Sequence, residues 1–195
     1  MLTQVIKYTL PFLLLLSLSC NIDNTKYLGT VSKNYMSLPH FDLVDQNNNE
    51  INDNSFGDKA ILVTFMYTDC KTECPSALND ILSIRNTITE NEDRFHVVIF
   101  SIDPNENYID VKNTLSKYQL ELDSITYAVG EKADLKPIWD YFYVPVGNVE
   151  TKRSDLTWIL HSIPAYLVLP NKNTTLIYTE FNIDSILTDL NNVLN

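Results

Sequence analysis

The chain has 195 residues, of which 45% are hydrophobic and 20% are charged, a balance typical of one soluble domain with a real core. Its 25 acids and 14 bases give a formal net charge of −11, and so acidic a surface argues against nucleic acid as a partner. No glycine-rich phosphate loop, serine triad or pair of catalytic carboxylates stands out, and 4 glycines are too few to build such loops.

The amino-terminal segment has the pattern of an export signal. Lys7 gives a weakly positive start, and the apolar run over residues 10–18 is shorter than the ~20 residues of a membrane-spanning helix. The run ends in Leu-Ser-Leu-Ser-Cys at residues 16–20, which resembles a bacterial lipoprotein signal. We therefore expect a signal over residues 1–19, a lipid anchor at Cys20 and a place in the bacterial cell envelope, on the periplasmic side. The alternative is an ordinary secretory signal.

A polar segment separates the predicted anchor from the structured part of the chain. Residues 20–37 are rich in Asn, Asp, Thr, Lys and Ser, which predicts a tether, and the folded domain is expected over residues 38–195. Residues 41–44 and Ile51 are predicted to pair as a short hairpin across the asparagine turn at 47–49.

Strands and helices alternate through the rest of the chain. Continuous β-prone runs at 60–65 and 95–102 are typical of strands buried on both faces, and shorter strands are predicted near 125–129, 165–169 and 175–178. Helices are predicted from Pro75, after Pro104, over 133–142 and over 183–194. This order predicts an α/β fold, a thioredoxin-like three-layer sandwich with a mixed β-sheet and an added N-terminal hairpin.

Cys70 and Cys74 lie where the first long strand ends and a helix begins at Pro75. Ligands of open α/β sheets bind beyond the carboxyl ends of strands, so the pair lies where a site is expected. On a helix, Cα atoms four residues apart are roughly 6 Å apart, a separation that a disulfide or a shared metal can bridge. The helix amino terminus favours thiolates, while Asp69 and Glu73 oppose this effect. One close pair does not make a disulfide scaffold, so the thiols predict a soft-metal site, a redox-active pair, or both.

His161 is a candidate third ligand, just before the strand at 165–169. Two thiolates suit Cu(I) or Zn(II), but zinc would need a fourth ligand that no second cysteine pair can supply. The alternative is a histidine whose hydrogen bonds are satisfied without metal. Whether this imidazole reaches the two sulfurs therefore separates metal binding from disulfide exchange. His40 and His96 are expected to be ordinary histidines.

Three motifs together resemble the Sco/SenC family: residues 65–75 (FMYTDCKTECP), residues 100–104 (FSIDP), and His161-Ser162 before residues 166–168. They fall in the family's order and approximate spacing, within a resemblance over residues 38–194. The resemblance implies a membrane-tethered, thioredoxin-like protein that assembles the copper centre in subunit II of cytochrome c oxidase. It also implies that Cys70 and Cys74 are the copper thiolates and His161 the third ligand, for Cu(I) or Cu(II).

Two functions stay open. In the first, the protein is a copper metallochaperone that delivers its metal to the oxidase subunit. In the second, it is an enzyme, a thiol–disulfide oxidoreductase that reduces the cysteines of that subunit or of another exported protein. Cys70 would then be the attacking thiolate and Cys74 the resolving one, and a thioredoxin-like reductant would be a further partner.

The sequence departs from the family pattern at several positions beside the site. Family members commonly have glycine where Met66 stands and Pro-Asp where Lys-Thr stands at 71–72. Met66 is expected to pack in the core or to present its thioether near the metal. After Asp103-Pro104 the family often continues with an Arg/Glu-Asp-Thr type of sequence, but here residues 105–108 are Asn-Glu-Asn-Tyr. Ile163-Pro164 stands where thioredoxins carry a cis-proline.

Overall fold

The computed structural model describes residues 26–32, 37–150, 157–160, 163–170 and 173–195. In chain order its strands are β1 Thr30–Val31, β2 Asp42–Val44, β3 Glu50–Asn52, β4 Ala60–Met66, β5 Phe95–Ser101, β6 Ile125–Ala128, β7 Gly147–Glu150, β8 Thr157–Leu160, β9 Ala165–Val168 and β10 Thr175–Tyr178. Its α-helices are α1 Cys74–Thr87, α2 Tyr108–Lys117, α3 Lys132–Tyr141 and α4 Ile183–Leu194.

A six-stranded mixed sheet has the strand order β1-β10-β9-β4-β5-β6. β4, β5 and β6 run parallel, whereas β9 pairs antiparallel with both β4 and β10. The hairpin β2–β3 forms a separate two-stranded sheet, joined to the domain by a bridge between Val44 and Val129. The predicted α/β sandwich with a mixed sheet and an added N-terminal hairpin is confirmed.

The central strand β4 separates two apolar layers because its residues alternate between the faces of the sheet. Leu62 and Met66 point to one layer, while Val63 and Phe65 point to the other. The first layer is covered by α1, α2 and α4, and the second by α3 and the hairpin β2–β3. Representative buried side chains of the two layers are Ile81, Leu115 and Leu190 in the first, and Leu43, Ile138 and Phe142 in the second.

Part of the segment expected to be a tether belongs to the folded domain. β1 is an edge strand that pairs with β10, and the backbone N–H groups of Leu28 and Gly29 donate to the buried carboxylate of Asp189 in α4. A Cβ at Gly29 would come within 2.8 Å of the Tyr178 ring, so the chain packs closely against β10 here. The packed domain therefore begins before residue 38, the boundary predicted from the polar composition.

A second difference lies between α3 and β9. The structure contains an antiparallel hairpin of β7 and β8, where the sequence pattern predicted no strands. The predicted signal at 1–19 and the anchor residue Cys20 lie outside the described residues. None of the helices in the described part of the chain combines the length and the apolar character needed to cross a bilayer.

Candidate thiol and metal site

The two cysteines lie in a tight connection between the end of β4 and the start of α1. Cys74 is the first residue of α1, and Pro75 occupies the first turn, where its missing N–H costs nothing. Cys70 lies in the preceding turn, which its own N–H closes by donating to the Tyr67 carbonyl across 3.2 Å. The expectation that helical spacing relates the two cysteines therefore does not hold, because only Cys74 is helical.

The two cysteines nevertheless contact each other. The backbone N–H of Cys74 donates to Cys70 Sγ across 3.4 Å, and the Thr72 hydroxyl lies 3.8 Å from the same sulfur. Both thiols are free, and the residues are only 5% and 2% exposed for Cys70 and Cys74 respectively. A fold that packs two reduced thiols together offers either a metal-binding pair or a pair that oxidises to a disulfide.

The surroundings shift the two thiol pKa values in opposite directions. Burial alone would raise the pKa of Cys70, but hydrogen bonds from Cys74 and Thr72 outweigh it and lower that pKa below its ordinary value. Burial, the hydrogen bond to Cys70 and the charge of Cys70 together raise the pKa of Cys74 well above its ordinary range. Burial and the charges of both cysteines also raise the pKa of Tyr67 to about 12. Cys70 is therefore the sulfur that ionises first.

A small cavity gives access to the pair. Its volume is about 170 Å³, and Cys70 and Cys74 both line it. Lys71 and Lys117 stand at this cavity together with Tyr67 and Tyr118. The cavity is large enough for a metal ion or for the approach of a small thiol.

A larger groove, of about 650 Å³, lies on the other side of the α1 amino terminus. Thr72 and Glu73, which stand between the two cysteines in sequence, line this groove together with Ile163. Asp80 and Glu180 also line it, so this side of the site is acidic. Burial and the nearby charge of Asp184 raise the pKa of Asp80.

His161, the predicted third ligand, lies outside the described residues. Two residues further on, Ile163 is buried and shares the larger groove with Thr72. The Pro164 carbonyl accepts a hydrogen bond from the Thr64 hydroxyl of β4 across 3.1 Å, and the Ile163–Pro164 bond is trans like every other peptide bond in the described residues. Within those residues, no three His, Cys, Asp or Glu side chains converge as a ligand group.

The other two histidines are accounted for without a ligand. His96 is buried, with Nε2 2.9 Å from the Thr126 hydroxyl and its ring against Phe56. Burial, followed by the charge of Lys59, lowers the His96 pKa to about 4. His40 is exposed and lies 2.9 Å from the Asp53 carboxylate, which raises the pKa of His40. Met66 is 1% exposed and packs in the core, the first of its two expected roles.

One residue behind the cysteine turn was not predicted to take part in the site. The carboxylate of Glu106 accepts a hydrogen bond from the backbone N–H of Thr68. Its other oxygen lies 2.5 Å from the Ser101 hydroxyl and 3.2 Å from the Tyr127 hydroxyl. The three partners of Glu106 come from separate segments of the chain, so no local pattern connects them to it. The one sequence signal was the departure from the family pattern at residues 105–108.

Fold and site together define a thioredoxin-like protein with a thiol pair at the carboxyl end of a central strand. The model of the SCO1/SenC family matches residues 30–195, so the chain belongs to this family. The family resemblance of the three sequence motifs is thereby confirmed.

Individual relatives and structures agree with this assignment. The SCO2-like protein RP587 of Rickettsia prowazekii is 27% identical over 133 residues, which cover 67% of this chain and 63% of the relative. The chain thus matches less than two thirds of the length of that relative. The copper-bound structure of Bradyrhizobium japonicum ScoI superposes with a TM-score of 0.70 at 23% identity, covering 82% of this chain and 99% of ScoI. BsSco, a cytochrome c oxidase assembly protein with an identified disulfide switch, gives a TM-score of 0.63 at 20% identity, covering 82% and 94%. These structural likenesses support the thioredoxin-like fold.

Proposed function

We propose that the protein is a copper chaperone that binds copper through Cys70, Cys74 and His161 and delivers it to the copper centre of cytochrome c oxidase subunit II. One observation carries the proposal. Ile163, two residues after His161, lines the same groove as Thr72 and Glu73, which lie between the cysteines. Since two residues of chain span at most ~7 Å, this position of Ile163 supports His161 as the third ligand.

The donor set supports copper over other metals. Two soft sulfurs and one imidazole suit Cu(I) at low coordination number, and the same set holds Cu(II) with help from other ligands. Zinc would require a fourth ligand, and the sequence has no second cysteine pair to supply it. A three-ligand site leaves a position from which a cysteine of the recipient subunit can take the metal. The copper bound in the ScoI structure also supports copper as the metal of this site.

The amino-terminal sequence supports a tethered chaperone. We propose that the segment at 1–19 is removed as a signal, that Cys20 carries the lipid, and that the domain lies on the periplasmic face of the bacterial membrane. The described residues begin at Lys26, so a short segment would separate the lipid from the domain. Such a tether keeps the thiol pair close to a membrane-bound oxidase subunit.

The second candidate function is thiol–disulfide exchange, which the opposite pKa shifts of the cysteines favour. The Cys70 thiolate would attack one sulfur of a substrate disulfide, forming a mixed disulfide and releasing the other sulfur as a thiolate. Cys74 would lose its proton and attack Cys70 Sγ, which releases the substrate dithiol and leaves the Cys70–Cys74 disulfide. Two electrons pass to the substrate, and a thioredoxin-like dithiol protein would have to return them.

A Cu(I) titration of the reduced domain against a competing chelator tests the chaperone proposal. We expect one tightly bound copper in the parent, with affinity reduced at least tenfold in His161→Ala and Cys70→Ser. His40→Ala is the matched control, because His40 is an exposed histidine held by Asp53. Unchanged affinity in His161→Ala, combined with rapid reduction of insulin disulfides by the parent, would favour the oxidoreductase instead.

A further inference from the structure

We propose that Glu106 is a positioning residue that holds the cysteine-bearing turn in the geometry in which Cys70 meets Cys74. The inference rests on the proposed role of this thiol pair and names a further residue on which that role depends. Glu106 is half-buried and lies in the turn between β5 and α2, outside the segment that carries the cysteines. Its carboxylate is nevertheless turned toward that segment.

The contacts of Glu106 join three separate parts of the fold. Oε1 accepts from the backbone N–H of Thr68, in the turn that leads to Cys70. Oε2 lies 2.5 Å from the hydroxyl of Ser101 at the end of β5 and 3.2 Å from the hydroxyl of Tyr127 in β6. The two hydroxyls fix the carboxylate, and the carboxylate in turn fixes the Thr68 peptide.

Backbone hydrogen bonds hold the turn at residues 67–70 at its two ends. At its start, the Met66 carbonyl accepts from the N–H of Ile102 across 3.0 Å, and at its end the Cys70 N–H donates to the Tyr67 carbonyl. Thr68 lies between these two points, and its N–H is a strong donor that needs an acceptor when water is excluded. Glu106 provides that acceptor through its side chain. The length of the Glu106 side chain therefore determines where the Thr68 peptide lies.

The position of this turn determines whether Cys70 contacts Cys74, because Cys70 lies at the end of the turn. Cys74 is fixed by α1, whereas the backbone of Cys70 is held by the turn, which its N–H closes at the Tyr67 carbonyl. If the Thr68 peptide is released, Cys70 samples more conformations, and a larger loss of entropy opposes its contact with Cys74. The effective concentration of one thiol toward the other then falls, and a disulfide between them forms less readily.

The test is the equilibrium of metal-free protein with glutathione, in which the Cys70/Cys74 dithiol and one oxidised glutathione yield the protein disulfide and two reduced glutathiones. Glu106→Gln keeps the length and an acceptor for Thr68 but removes the charge. Glu106→Asp keeps the charge but is shorter by one methylene and cannot reach Thr68 and Ser101 together. Glu121→Asp is the matched control at an exposed glutamate.

We expect the equilibrium constant for disulfide formation to fall on the order of tenfold in Glu106→Asp, the effect of losing a hydrogen bond to a charged group. It should stay within about threefold of the parent in Glu106→Gln, and it should not change in Glu121→Asp. A cooperative thermal unfolding transition in each variant shows that the domain is folded. A parent-like constant in Glu106→Asp would overturn the proposal, as would a fall in Glu106→Gln as large as in Glu106→Asp. Because no copper is present, a failure of copper binding would not affect this result.

Discussion

The backbone N–H of Cys74, at the first position of α1, is directed at the sulfur of Cys70 across 3.4 Å. A helix amino terminus carries partial positive charge, so this contact stabilises negative charge on Cys70 rather than on Cys74 itself. The helix therefore activates the sulfur in the turn before it. The cysteine that begins the helix is buried beside that sulfur and keeps its proton to much higher pH.

The first prediction concerns which cysteine reacts. In Cys74→Ser, where the activating N–H at position 74 remains, Cys70 should react with iodoacetamide at neutral pH on the order of tenfold faster than Cys74 does in Cys70→Ser. The Cys70 rate should also reach its plateau at lower pH, since the pKa of Cys70 is lowered and that of Cys74 raised. Mass spectrometry after timed quenching gives both rates. Equal rates, or faster reaction at Cys74, would refute the assignment of Cys70 as the attacking sulfur.

The second prediction concerns the Thr72 hydroxyl, which lies 3.8 Å from Cys70 Sγ. Thr72→Val keeps the shape of the side chain and removes the hydroxyl, so the thiolate loses one partner and the pKa of Cys70 should rise. Alkylation of Cys70 at neutral pH should slow by roughly twofold to fivefold. Thr72→Ser keeps a hydroxyl and should behave like the parent. A rate in Thr72→Val equal to that of Thr72→Ser would show that the hydroxyl does not act on the sulfur.

The third prediction concerns the pH dependence of stability. His96 has an ordinary pKa of 6.5 that the fold lowers to about 4, so between these values the unfolded chain binds a proton that the folded protein does not. The free energy of unfolding is then fully retained above pH 6.5 and falls as the pH drops, by about 3 kcal/mol at pH 4. His96→Gln keeps a partner for Thr126 and should flatten this part of the profile, measured by denaturant unfolding.

His40 provides the control for that profile. It is exposed, and the Asp53 carboxylate raises its pKa, so its own contribution has the opposite sign and is lost as the pH rises. His40→Gln should therefore leave the loss of stability between pH 6.5 and 4 in place. A profile that is equally steep in His96→Gln and in the parent would mean that other groups cause the loss.

The fourth prediction concerns the attachment of β1. Asp189 is fully buried and accepts from Leu28 at 2.8 Å, Gly29 at 2.7 Å and the Tyr178 hydroxyl at 2.8 Å. Asp189→Ala leaves these donors without an acceptor and should lower the free energy of unfolding by about 3 kcal/mol. Limited proteolysis should cut near residues 26–31 in this variant. Asp58→Ala, at an exposed aspartate, should do neither, and a protected amino-terminal segment in Asp189→Ala would contradict the account.

The long elements of the fold could be predicted because their signals are local. β4 and β5 are runs of seven residues that are buried throughout, and apolar residues recur at helical spacing along α4. The thiol pair could be found for the same reason, since a buried strand, two cysteines and a proline follow one another directly. The function of the pair stays a prediction from these residues and from the family.

Two features that the sequence did not predict, the attachment of β1 and the role of Glu106, depend on distant partners. β1 is only two residues long, and its approach is fixed by Asp189, which lies 160 residues from Gly29. Glu106 acts through Thr68, 38 residues before it, and through Tyr127, 21 residues after it. Polar composition predicted a tether at residues 26–32, and no sequence pattern assigned Glu106 to the site. Only the packed fold brings these groups together.

X-ray absorption at the copper edge of the Cu(I)-loaded domain tests the central claim most directly. The account predicts a first coordination shell of two sulfurs and one imidazole nitrogen in the parent, with the nitrogen lost in His161→Ala and kept in the control His40→Ala. A shell of sulfur alone in the parent, or an identical shell in His161→Ala, would contradict the assignment of Cys70, Cys74 and His161 as the copper ligands.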